Sequence, residues 1–160
     1  MYIRKSILTG FLVVAIGAGW LGKTLAQGNT SSPVVTYLDH EKVNASFAKG
    51  GSPILFAGQS GQGEYRVRTA NRIQTEEGQV HSHKLGTDVL YVVSGAATFV
   101  VGRTEVGAKT KAFDESRGPS VEAGESYHLS KGDVIIVPPG VPHWYQNVET
   151  PFLYFVVEVP

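Results

Sequence analysis

The chain has 160 residues, with 14 basic and 14 acidic side chains and no cysteine. That length suits one domain with a core of its own. The missing cysteines exclude disulfides, thiol catalysis and cysteine zinc sites, and the even charge argues against a broad nucleic-acid surface. Hydrophobic residues make up 42% and charged residues 18%, so the chain is not compositionally disordered. The 19 glycines exceed the usual share and point to many turns.

The balance of charge is uneven along the chain. Residues 1–26 open with Arg4 and Lys5, continue through an uncharged, mostly apolar run at 6–22, and end on Thr24 and Ala26. This is the layout of a secretory signal peptide cut before Gln27, or of an N-terminal anchor if uncut. The apolar run is short for a bilayer span, which needs ~20 residues. In either case the domain is expected outside the cytoplasm, periplasmic or secreted. Removing 1–26 takes three basic residues and no acidic one, so the remainder is mildly acidic. Residues 27–33 are small and polar and read as a flexible lead-in to a domain spanning 34–160.

From residue 34 the pattern is one of short runs rich in Val, Ile, Tyr, Phe and Thr. Candidate strands are 34–38, 54–57, 65–73, 79–83, 89–94, 97–101, 126–129, 134–137, 143–147 and 153–159. Gly- and Pro-rich separators divide them, among them Gly50-Gly51-Ser52-Pro53 and Pro138-Pro139-Gly140. Residues 43–48 allow one or two helical turns. The stretch 102–124 reads as a long irregular excursion. Many short strands at even spacing predict an all-β sandwich or barrel.

Five histidines are present. His81 and His83 are spaced i, i+2, so on a strand both imidazoles face one way. Asp88 follows on the next run, and His143 lies just beyond the Pro138-Pro139-Gly140 corner. Three neutral imidazoles and a carboxylate suit one divalent transition metal: iron, manganese, nickel, cobalt or zinc. His40 and His128 belong to neither group and read as surface residues.

The spacings resemble the two motifs of the cupin superfamily. The first reads His81-Ser82-His83, four residues, Asp88, six residues, Gly95. The second reads Gly132, five residues, Pro138-Pro139-Gly140, two residues, His143, three residues, Asn147. Asp88 stands where the family usually carries Glu. The resemblance implies a small antiparallel jelly-roll β-barrel, with His81, His83 and His143 as metal ligands inside it. Asp88 would be a fourth ligand or, being a methylene shorter, an acceptor that orients a ligand histidine. Asn147 would be structural, and pairing of barrels into homodimers is implied, with 34–38 and 153–159 as candidate edge strands.

Alternation places Leu90 and Val92 on the face of Asp88, and Tyr145 and Asn147 on the face of His143, with Trp144 outward. Tyr145 is then a candidate catalytic phenol, or a packed barrel aromatic. Leu90, Val92, Phe99 and Phe155 are candidate pocket lining. Arg66 and Arg68 share a strand face that is solvated or holds an acidic substrate. No second carboxylate at motif spacing offers itself as a general base. Three functions remain open: a metal-dependent enzyme on a small molecule, of oxygenase or Lewis-acid lyase or isomerase type; a non-catalytic small-molecule or sugar binding module of the cell envelope; and a metal-binding or structural protein without catalysis. No nucleic-acid partner is expected, and a membrane only through an uncut leader.

Overall fold

The computed structural model describes residues 35–73, 80–111 and 115–160. The expected leader 1–26, the lead-in 27–33 and Val34 lie outside the described residues. Residues 36–160 form one compact unit. No helix among the described residues is long and apolar enough to cross a membrane.

The chain enters through α1 (His40–Ala48), then runs in strands. Asp39 caps the helix by accepting the Lys42 amide at 2.9 Å. The helix docks by its last turn. Ser46 and Thr69 share a buried hydroxyl hydrogen bond of 2.6 Å, Asn71 Nδ2 donates to the Phe47 carbonyl at 3.0 Å, and Phe47 meets Phe155 edge-on at 5.2 Å.

The strands are β1 (Ile54–Ser60), β2 (Gly63–Arg72), β3 (Val80–His83), β4 (Thr87–Val101), β5 (Thr104–Val106), β6 (Lys109–Thr110), β7 (Glu115–Gly118), β8 (Ser120–Glu122), β9 (Glu125–Ser130), β10 (Val134–Val137) and β11 (His143–Val159). Nine of them form one antiparallel sheet whose path runs β1-β2-β11-β3-β7-β6, with β4 also against β11, β9 and β10. β5 and β8 form a separate ribbon. The all-β jelly-roll expectation holds.

Two long strands make the frame, and both bend in the middle. β11 pairs His143–Gln146 with the end of β4, then shifts register and pairs Leu153–Val159 with β4 on one side and β2 on the other. β4 bends opposite, at Gly95, whose φ is +78°. A Cβ there would lie 2.5 Å from the Pro151 carbonyl oxygen, so only glycine lets the bent strands touch. The chain thus reads as two strands on either side of Gly95 in sequence, but as one folded strand in space. Alternation inside the fold follows the apolar residues: Leu90, Val92, Phe99, Phe152, Tyr154 and Val156 turn inward to one cluster.

Several expectations are corrected. Residues 35–38 carry no strand. The 153–159 segment is central rather than an edge, because β2 and β4 flank it. The described residues of the 102–124 excursion hold β5 to β8, and β7 joins the main sheet beside β3. Asn147 does not follow Tyr145 inward. It is exposed with φ +45°, at the register shift where β11 begins its bend.

Candidate metal centre

The first histidines come from β3, where alternation sends His81 and His83 to one face and buries Ser82 on the other. His143 opens β11 and pairs with His81 across the strands. The proline corner before it is tied to the same place, since the Gly140 amide donates to the His83 carbonyl at 2.6 Å. Gly140 takes φ +77°, which the turn requires. The two motifs, some sixty residues apart in the chain, are therefore joined by backbone as well as by side chains.

The ring centroids of His81 and His143 are 4.2 Å apart, those of His81 and His83 5.6 Å, and those of His83 and His143 6.4 Å. Asp88, on β4 and only 6% exposed, brings Oδ2 to 3.8 Å from His83 Nε2. That is beyond a direct hydrogen bond. His143 is 2% exposed, with Nδ1 2.9 Å from the Val141 carbonyl oxygen. The carbonyl can only accept, so Nδ1 carries the proton and Nε2 keeps its lone pair. Burial presses the His143 pKa down to about 4, against a partial lift from that hydrogen bond. Burial likewise holds His81 well below the ordinary imidazole range, helped by the rings of His143 and His83 and by Arg72 and Arg117. Neutral imidazoles in this state are the form a metal needs.

Among the described residues, no group of three or more His, Asp or Glu side chains stands at closed metal-binding geometry. The donor chemistry nevertheless fits a divalent transition ion. Two rings are kept neutral by burial, one has its tautomer set by a backbone carbonyl, and a buried carboxylate faces the third.

These residues line one cavity of about 510 Å³, shared with Tyr145, Leu90 and Val156. His81, His83, Asp88, His143 and Tyr145 are thus brought together as expected. Tyr145 is 5% exposed, packs edge-on to Phe99 at 5.0 Å, and burial raises its pKa well above the ordinary phenol value. It stays protonated and can donate, not abstract.

Val92 and Phe99 do not reach the cavity: both are fully buried behind it. Phe155 faces the opposite side of β11, under Phe47 of α1. Trp144 lies on the other face of β11 from His143 and Tyr145, where it is half-buried, and its indole nitrogen is buried with no hydrogen-bond partner among the described residues. His40 and His128 are exposed.

The cavity also holds charge that the histidine spacing did not point to. β2 supplies Arg68 and Arg72, and β7 supplies Glu115 and Arg117. Arg68 is no solvated residue, since its Nε meets Glu158 Oε1 at 2.5 Å. Arg72 continues the i, i+2 face of Arg66 and Arg68, a signal present in the sequence. Glu115 and Arg117 pair in register with His83 and His81, which nothing local in the sequence reveals.

The family model described as Cupin matches residues 65–159. Among solved structures, a protein from Bacillus halodurans aligns with TM-score 0.56 at 14% identity, covering 82% of this chain and 84% of that one. A Neisseria meningitidis protein aligns with TM-score 0.50 at 14% identity, covering 78% and 100%. A Klebsiella pneumoniae protein with a double-stranded β-helix domain gives TM-score 0.46 at 21% identity, covering 69% and 78%. At such identities the likeness to the first two is one of fold. No curated protein sequence matches the chain.

Proposed function

Because the chain belongs to the cupin family, we propose that it is a metal-binding cupin and an enzyme acting on a small molecule. The ligands in this reading are His81, His83 and His143, with Asp88 as a fourth or as a carboxylate just beyond them that orients a ligand histidine once the metal is bound. The observation that carries it is His143: a buried neutral imidazole, its Nδ1 proton given to Val141, its other nitrogen in the cavity beside His81.

A bound divalent ion would supply Lewis acidity or, if iron, oxygen activation. The chain's own residues do the rest. The buried histidines exclude competing protonation at neutral pH, because their folded pKa values lie below it. Leu90 and Val156 give the otherwise polar cavity an apolar patch. Tyr145 holds its proton and donates a hydrogen bond to developing negative charge on a substrate oxygen. Its ring is fixed from one side by Phe99 and from the other by the guanidinium of Arg72, 4.1 Å from the ring centroid. The reaction type proposed is of the oxygenase or Lewis-acid lyase or isomerase class. The leader reading carries with it a periplasmic or secreted site of action, and a homodimer is the proposed assembly.

Turnover tests this reading. The protein loaded in turn with iron, manganese, cobalt, nickel and zinc is given enolizable and phenolic small molecules, with oxygen uptake and product formation followed. Metal-dependent turnover that His81→Ala abolishes is expected. Ligand binding without turnover under any metal would replace the enzyme with the binding module.

A further inference from the structure

The strand that carries two of the histidines has little hold on the main sheet. Among the described residues, β3 meets β11 through one residue pair, His81 with His143, and takes one amide bond from Gly140. It is laddered along its whole length to β7, which has the two-residue β6 on its far edge. A four-residue strand at such a margin opens readily unless it is also held from a face. One face of the β3–β7 pair turns His81, His83, Glu115 and Arg117 to the cavity. The other carries Ser82 opposite Ser116 and Val80 opposite Gly118.

Glu105 meets that second face. It is the inward side chain of β5, between exposed Thr104 and Val106. Its Oε2 accepts from the Ser116 hydroxyl. Ser82 Oγ lies 2.9 Å from Ser116 Oγ and 3.4 Å from Glu105 Oε2. A carboxylate only accepts, so the Ser116 proton goes to Glu105 and Ser82 donates to Ser116. The relay runs in one direction and ties β3 and β7 to β5. Gly118 makes room for it: a Cβ there would lie 2.8 Å from Glu105 Cγ and 2.5 Å from the Val106 carbonyl oxygen.

For stability alone a carboxylate is a poor choice here. Glu105 Oε1 is buried with no hydrogen-bond partner among the described residues. Such an oxygen loses its hydration without full compensation, which an apolar side chain of the same length avoids. What the carboxylate supplies is direction, a charge-assisted acceptor that holds two hydroxyls at fixed points. We infer that Glu105 is a positioning residue for the metal centre, acting through Ser116 and Ser82 to fix β3 and so the aim of His81 and His83. Ser82 stands between the two histidines in the chain, so any shift of its backbone moves both rings. The inference rests on the proposed metal site and adds to it a residue that lies behind the cavity wall.

Cobalt(II) titration of the chelator-treated, desalted full chain tests it, followed by visible absorption. Glu105→Met keeps the length and removes the acceptor. It should bind cobalt at least about tenfold more weakly than wild type and shift the visible bands, as loss of a group that orients metal ligands does. Its metal-free form should melt within about 4 °C of wild type. Glu105→Gln, which keeps an acceptor for Ser116, should stay within about threefold of wild-type affinity. A folded Glu105→Met with wild-type affinity and bands would overturn the inference. So would a Glu105→Gln that loses as much as Glu105→Met, or an affinity loss that comes with a much larger drop in melting temperature, the mark of a structural role alone. If Glu105→Met does not fold, Ser116→Ala decides: a loss of about tenfold supports the relay, and wild-type binding overturns it. Wild type that takes up no cobalt would sink the metal reading and this inference together, whereas wild-type uptake with unaffected variants would sink this inference alone.

Discussion

Acidifying the metal-free protein from pH 7.5 to pH 5 should weaken the fold through His143. The unfolded chain takes up a proton at this imidazole near pH 6.5, and the folded chain only near pH 4. The stability that depends on the neutral ring is complete above 6.5. It is lost as pH falls between 6.5 and about 4, because the unfolded state binds the proton first. The gap corresponds to ~3 kcal/mol over the whole window and ~2 kcal/mol at pH 5. His81, also held down by burial, adds in the same direction. Carboxylates titrate at the lower end of the range, so wild type is compared with His143→Asn. With urea slopes of ~1–3 kcal/mol per molar, the wild-type midpoint should drop by about 1 M more than that of the variant between the two pH values. A chelator is present throughout, since a metal on neutral imidazoles would steepen the dependence. Identical pH dependence in both proteins would refute the burial argument for His143.

Three further changes probe the frame and the cavity. Gly95→Ala should cost ~2–4 kcal/mol in urea unfolding, since it combines φ +78° with a Cβ against two carbonyl oxygens, of Pro151 and Glu149. Phe47→Ala should cost ~3 kcal/mol and loosen α1, which native-state hydrogen exchange would show as faster exchange at its amides. Tyr145→Phe keeps the ring between Phe99 and Arg72, so metal content should not change, while kcat on a turned-over substrate should fall ~10²-fold. An unchanged kcat would leave Tyr145 as packing only.

Local rules put the two histidines of β3 on one face, and the resemblance of the spacings to the cupin motifs joined them to His143 and Asp88. His81 and His83 share a face by strand alternation, and Pro138-Pro139-Gly140 sets the corner that delivers His143. With Asp88 taken as inward from the motif, Leu90 followed by alternation on β4. What alternation cannot supply is which strands become neighbours. β7 lies among short, polar residues with no apolar period, and its place beside β3 is a long-range pairing. Glu115 and Arg117 therefore stayed hidden, although they stand in register with the two histidines. Alternation also fails where a strand bends. It sent Asn147 inward, but the left-handed backbone there turns that side chain out. Phe155 misled for a different reason: it lies on the other face of β11, which α1 partly covers through Phe47.

In the proposed function, His81, His83 and His143 hold one metal ion. Elemental analysis after reloading and desalting tests it most directly, on wild type and on His81→Ala. The account predicts close to one transition-metal ion per wild-type chain and a small fraction of that in the variant. Wild-type protein that retains none of iron, manganese, cobalt, nickel or zinc, or a variant that retains as much as wild type, would contradict it.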